Sequence, residues 1–235
     1  MVKLMKLSSI VLAIWLGGYF VAFPLFEWYE SSRAPFGASP DEHYISIKGL
    51  KPEDATVKAY STFHGGGENC KSFSWSAVDG KKRKGGKAVL RFAHNFAQNE
   101  KQYELRIPYK NFLSNGCDMK LYRIVVDAKN AYDTVGFAEL RITPPILEFE
   151  KAIDMTSMIE AKNCRDKYYP DWERWAGGFA CDYYINGARK AESEFSYQDI
   201  NIDFSQFTDD TVIRYDITAG DNYRTEPQEQ KETND

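Results

Sequence analysis

The sequence predicts a mainly β protein: an antiparallel β-sandwich, immunoglobulin-like by analogy, plus a smaller disulfide-stapled β-rich part, behind one N-terminal transmembrane helix. Three observations predict it. Apolar and polar residues alternate with a period of two along many short segments, aromatic residues make up 15% of the 235 residues, and one uncharged apolar stretch stands near the start. Alternation puts every second side chain on one face of a strand, and flat rings pack well on a pleated surface.

The apolar stretch, residues 7–26, carries no charged side chain. As a helix rising about 1.5 Å per residue it matches the roughly 30 Å hydrocarbon core of a bilayer. Lys3 and Lys6 precede it, and Glu27 and Glu30 follow. Cationic flanks stay cytoplasmic, so residues 1–6 read as a cytoplasmic stub and the rest as exported. Trp28 and Tyr29 suit the outer interface, where amphipathic rings sit among headgroups. A cleaved signal peptide is the competing reading, and it needs small residues at −3 and −1 of the cut. Ala22 has Phe20 at −3, so a retained signal-anchor fits better. Both readings export the body.

The cysteines agree with export. The four stand at 70, 117, 164 and 181, without a Cys-x-x-Cys pair that would indicate zinc or a redox dithiol. Pairing Cys70 with Cys117 and Cys164 with Cys181 closes each loop within its own half of the chain. Chain entropy gives such loops roughly 3–4 kcal/mol apiece. No asparagine opens an Asn-x-Ser/Thr sequon, which favours a bacterial periplasm over a eukaryotic secretory route. The expected location is therefore a bacterial inner membrane, crossed once, with the body in the periplasm.

Residues 27–42, rich in Ser, Pro and Gly, read as a linker. Strand signals follow. Val57, Ala59 and Phe63 alternate with polar neighbours, as do Phe73 and Trp75, and Tyr103, Leu105 and Ile107. Further candidates lie at 43–48, 87–94, 119–128 and 135–142, which makes about seven strands for a sandwich domain over 43–144. Pro144-Pro145 marks a boundary, and 145–222 reads as a smaller β-rich domain. In it Asn186-Gly187 fits a type I′ hairpin turn, because both residues tolerate positive φ. Ile200 with Ile202, and Ile213 with Tyr215 and Ile217, show the strand period again. Residues 146–162 have room for a short helix, and 223–235 read as a disordered acidic tail.

The net charge of −4 is modest, so no global field points to nucleic acid. His64-Gly-Gly-Gly resembles an oxyanion loop, but no Gly-x-Ser-x-Gly supplies a nucleophile, and a turn is the simpler reading. His43, His64 and His94 stand at no metal-ligand spacing, so neither a metal nor a cofactor is expected. Asp171 and Glu173 flank Trp172, but carboxylates are too common for their spacing to indicate a glycosidase. An envelope hydrolase is the weakest function class, and the chain is read as a non-enzyme.

Two surfaces remain. Lys81, Lys82, Arg83 and Lys84 crowd the expected tip of a hairpin, suited to lipid headgroups, a polyanionic glycan or an acidic protein. The plain alternative is a solvated turn that discourages edge pairing. Tyr168, Tyr169, Trp172 and Trp175, followed by Phe179, Tyr183 and Tyr184, fall between Cys164 and Cys181. Such rings suit a protein hot spot or stacking on sugars, or else form a small core. The leading expectation is a membrane-anchored periplasmic module that binds another protein, an immunity-type inhibitor of a secreted toxin being one concrete form. A carbohydrate or cell-wall binding module that uses the 168–184 aromatics on an envelope glycan is the alternative.

Overall fold

The structure, a computed structural model, describes residues 18–22, 24–25, 33–76, 79–145, 147, 150–190 and 197–228. The chain divides into two compact units, Met1–Ala38 and Ser39–Asp235. In the first, Gly18–Ala22 makes a single π-helical turn, where the Tyr19 and Phe20 rings meet edge to face at 5.2 Å. No helix among the described residues is long and apolar enough to cross a membrane. The expected stub 1–6, most of the span 7–26 and residues 27–32 of the expected linker lie outside those residues.

The second unit is a sandwich of two mixed sheets. One sheet runs in the order β12 (Ala188–Arg189), β11 (Arg174–Ile185), β10 (Met158–Tyr169), β14 (Val212–Ala219), β1 (Tyr44–Leu50), β6 (Gln102–Pro108). The other runs β13 (Tyr197–Asn201), β9 (Phe137–Thr143), β8 (Cys117–Lys129), β2 (Thr56–Gly66), β5 (Gly86–Phe92), with β7 (Phe112–Ser114) on the start of β8. A separate two-stranded ribbon pairs β3 (Phe73–Trp75) with β4 (Lys82–Lys84).

Alternation selects the inward faces. Val57, Ala59, Ser61 and Phe63 of β2 are buried while their neighbours are not. Ile45 and Ile47 of β1, Leu105 and Ile107 of β6 and Tyr215 of β14 meet Ile124, Leu140 and Ile142 of β8 and β9 in one core. Each fully buried Leu or Ile contributes roughly 1.5–3 kcal/mol of transfer free energy. A second cluster, Phe63, Cys70, Cys117 and Met119, surrounds the first disulfide.

Several expectations need correction. The sheets are mixed rather than antiparallel, because β14 lies parallel to both β1 and β10, and β13 parallel to β9. Parallel neighbours require crossovers, and β14 is reached from β13 in the opposite sheet. The expected boundary at 144/145 does not separate two cores. β10, β11 and β14 complete the sheet that begins with β1 and β6, and the whole of Ser39–Asp235 is one compact unit. Pro144-Pro145 ends β9 and starts a crossing segment instead. The helix expected within 146–162 is absent among its described residues: 150–157 are irregular and Met158 opens β10. The tail expected from residue 223 is held down through residue 228, where the Gln228 amide donates to the Tyr132 carbonyl at 3.2 Å.

The disulfides pair as expected, Cys70 with Cys117 and Cys164 with Cys181. The first fastens the segment after β2 to the first residue of β8; the second staples β10 to β11. Neither bridges the two sheets, so the antibody-type inter-sheet cystine is not part of this sandwich. Asn186 and Gly187 have φ of 51° and 76°, as a type I′ turn requires, and Ile185 pairs with Ala188 across it.

Buried tyrosines tie the layers. The Tyr215 hydroxyl donates across the sandwich to the Ala138 carbonyl at 2.6 Å, and the Tyr103 hydroxyl donates to the Tyr215 carbonyl at 2.6 Å. Burial pushes the phenol pKa of Tyr103, Tyr183, Tyr215 and Tyr223 upward. A pKa raised in the folded state gives stability that is complete below the unfolded value, about 10. That stability is lost as pH rises toward the folded values, because the unfolded chain ionises first. In an alkaline titration Tyr103, Tyr183 and Tyr215 should therefore ionise only as the far-ultraviolet circular dichroism of the sheets collapses. A single smooth phenolate titration with unchanged dichroism would contradict this.

Candidate functional site

Strands β10 and β11 form the longest hairpin of the fold and carry the aromatic run. At its tip Pro170 fixes φ for one 3-10 turn, Pro170–Trp172, and Glu173 leaves it with φ of 47°. The Glu173 N–H donates to the Pro170 carbonyl at 3.2 Å. Below the tip Tyr168 faces Trp175 and Tyr169 faces Arg174 across the strands. Register shifts follow Lys162 and Asp166, and Asn163 has φ of 55°; bulges of this kind add twist to a hairpin.

The hairpin divides into two halves. Near its base Phe179 and Tyr183 are buried, and the Cys164–Cys181 bond staples the strands. Toward the tip Tyr168 is 45% exposed, Trp172 64% and Trp175 40%. The aromatic run is thus neither a small core nor wholly a surface.

The exposed rings are interleaved with cations. Tyr168 packs on Trp175 at 5.3 Å with planes tilted by 59°, and Tyr169 on Trp172 at 5.2 Å with a tilt of 38°. The Arg174 guanidinium lies 5.1 Å from the Trp172 ring, and that of Arg224 lies 4.5 Å from Trp175. Lys167 sits 5.5 Å from Tyr169. Such stacking holds both partners at modest gain in water and more when a ligand displaces it.

Beside Trp175 opens a pocket of about 900 Å³, walled by Tyr132, Glu173, Arg174, Tyr223 and Arg224, with the 225–228 segment along its rim. Beneath it the Tyr132 hydroxyl donates to Asp166, whose side chain is fully buried, and the Arg224 Nε lies 3.7 Å from the same carboxylate oxygen. The other oxygen of Asp166 has no hydrogen-bond partner among the described residues. Burial, together with the bond to Asp166, pushes the Tyr132 phenol up to about 12. Asn130 fixes this corner, its amide donating to Asp54, to the Tyr223 hydroxyl and to the Arg224 carbonyl at 2.9, 3.1 and 2.7 Å.

The structure brings Tyr168, Tyr169, Trp172 and Trp175 together and leaves Lys81, Lys82, Arg83 and Lys84 on a different element. Lys82, Arg83 and Lys84 form β4 itself, opposite Trp75, Ser74 and Phe73, rather than the tip of a turn. The histidines are dispersed: His43 pairs with Asp209 at 2.7 Å, His64 stacks on Tyr122 at 4.3 Å and His94 packs on Phe96. Burial, then Lys87 and Arg123, lower the His64 pKa. Of the glycines after His64, Gly65 and Gly66 continue β2 and Gly67 opens the turn that follows, where its carbonyl accepts from the Cys70 N–H at 3.2 Å. At Gly65 a Cβ would come within 2.3 Å of the Met119 sulfur. Among the described residues no group of three or more His, Cys, Asp or Glu is placed to hold a metal. Arg224, Tyr132 and Asp166 carried no sequence signal, since only the folded chain brings them to the hairpin.

The chain matches no protein-family model, no curated protein and no solved structure at a significant level.

Proposed function

We propose that the chain is a protein-binding module that engages its partner with the aromatic tip of the β10–β11 hairpin and the pocket beside Trp175. One observation carries this reading: a cystine-stapled hairpin exposes Trp172 and Trp175 at its tip while burying Phe179 and Tyr183 at its base. Trp, Tyr and Arg are the residues most enriched in interface hot spots, and here all three are concentrated on one projecting turn. A protein partner is favoured over a glycan by the ring geometry. Sugars stack on open, flat ring faces, whereas these rings are mutually tilted and two carry a guanidinium.

The setting that goes with this proposal is the periplasmic side of a bacterial inner membrane, with residues 7–26 as the tether. An immunity-type inhibitor is its specific form, because a projecting aromatic turn suits the cleft of a toxic enzyme that must be occluded. A photoreactive residue in place of Trp172 in the full chain, expressed in cells, tests the reading. The expected result is one protein adduct, lost on Trp175→Ala. Adducts to cell-wall glycan alone would replace the proposal with the carbohydrate-binding alternative, and an absence of any adduct would remove the tip as a recognition surface.

A further inference from the structure

We infer that the β3–β4 ribbon is a docking finger for an anionic lipid surface, distinct from the aromatic hairpin tip. Among the described residues its strands pair only with each other: Phe73 with Lys84, Ser74 with Arg83 and Trp75 with Lys82. Directly opposed residues of an antiparallel pair share a face, and residues two apart along a strand do too. Phe73, Trp75, Lys82 and Lys84 therefore occupy one face, with the Lys82 ammonium 4.3 Å from the Phe73 ring. Every residue of both strands is exposed, Phe73 by 58% and Trp75 by 72%.

The finger is held at its base. Cys70 is bonded to Cys117, the Lys71 N–H donates to the Asn115 carbonyl at 2.9 Å, and the Gly85 N–H to the Ser72 carbonyl at 3.1 Å. These bonds set it beside β7 and the turn after it, where Leu113 is 77% exposed. The charge is concentrated as well. Between Glu68 and Lys87 six cations stand against two carboxylates, a local excess of +4 in a chain whose total is −4. Arg83 is paired with Asp79 at 2.8 Å.

Lipid is the occupant that fits all of these features. Trp and Phe beside lysine ammonium groups match the layered chemistry of a bilayer interface, where rings enter the headgroup region and cations meet phosphates. The lysines of the ribbon are single point charges on flexible stems, and lysine lacks the planar fork of arginine for bidentate contacts. The inference stands whether or not residues 7–26 cross a bilayer.

The test uses the full chain with a photoreactive phenylalanine analogue in place of Leu113, reconstituted with vesicles of phosphatidylcholine alone or containing phosphatidylglycerol. Lipid adducts should rise several-fold with phosphatidylglycerol and fall to the neutral-vesicle yield at high salt, where exposed charges are screened. Lys81→Ser, Lys82→Ser and Lys84→Ser together should remove the dependence on anionic lipid, bringing the yield down to that with phosphatidylcholine alone. Phe73→Ser with Trp75→Ser should lower the yield while keeping the salt dependence. Equal yields with both lipids, or a triple variant that still responds to phosphatidylglycerol, would overturn the inference. So would adducts that form only with an acidic protein or polyanionic glycan added to the vesicles.

Discussion

Gly49→Ala should destabilise the fold by about 3 kcal/mol, lowering the melting temperature by roughly 6–12 °C for a unit of this size. The sign is the informative part. Gly to Ala in an ordinary strand stabilises by a few tenths to about 1 kcal/mol, because the unfolded chain loses freedom. At Gly49 a Cβ would lie 2.0 Å from the carbonyl oxygen of Tyr215 and 2.6 Å from its carbon. Both are backbone atoms of β14, so no side-chain rotation relieves the clash. The same carbonyl accepts the Tyr103 hydroxyl, which crosses over Gly49 from the paired position on β6. The next residue, Leu50, donates its N–H to the Asp216 carboxylate at 2.8 Å, so β1 and β14 cannot simply part. Gly66→Ala is the matched control, since a Cβ there meets nothing within 4 Å. Melting both variants by circular dichroism decides the matter; a Gly49→Ala protein as stable as Gly66→Ala would mean that β1 and β14 do not pass this closely.

Residue pattern alone located most of the strands. Where one face of a strand stays inward throughout, as in β2 and β6, the period of two runs unbroken and was legible. β10 was not, for an identifiable reason. Its inward residues are Ile159 and Ala161 and then Cys164 and Asp166, so the phase flips at Asn163, the residue with positive φ. A bulge of that kind erases the alternation on which the reading depends. Pairing partners are a second blind spot. Nothing local in Val212–Ala219 specifies that it inserts between β1 and β10, parallel to both. For that reason the two halves of the chain read as two domains, although they share one core.

The candidate site was half legible. Its aromatic residues stand out by composition, but which of them are exposed depends on where the hairpin leaves the core, between Phe179 and Trp175. The polar side of the pocket was hidden in the segment taken for a free tail. Arg224 reads as one more charged residue in a polar end until Tyr223 and Gln228 fix that segment against Asp54 and Tyr132. Contacts separated by roughly ninety residues or more leave no short-range pattern.

Trp172→Ala and Trp175→Ala should each weaken binding to the cross-linked partner by more than about 2 kcal/mol, some thirtyfold in Kd, while changing stability little. Trp172 is 64% exposed, and its contacts are Tyr169 and Arg174, both on the same tip. Truncating it therefore removes little that the free protein had buried. Trp175 is the more demanding case, because it touches Tyr168 and carries the Arg224 guanidinium at 4.5 Å. Its loss should also loosen the 223–228 segment, and a drop of about 1 kcal/mol is expected there. Phe179→Ala provides the contrast from the same hairpin: its ring is 1% exposed and stacks against Tyr223 at 4.7 Å, so its removal should cost roughly 3–5 kcal/mol of stability. Melting curves and equilibrium binding on the three variants separate recognition from architecture. If Trp172→Ala and Trp175→Ala melt as low as Phe179→Ala, the tip is core and the recognition proposal fails. If they melt like the parent and bind like it too, the exposed rings have no part in recognition, and the partner must be sought at another surface.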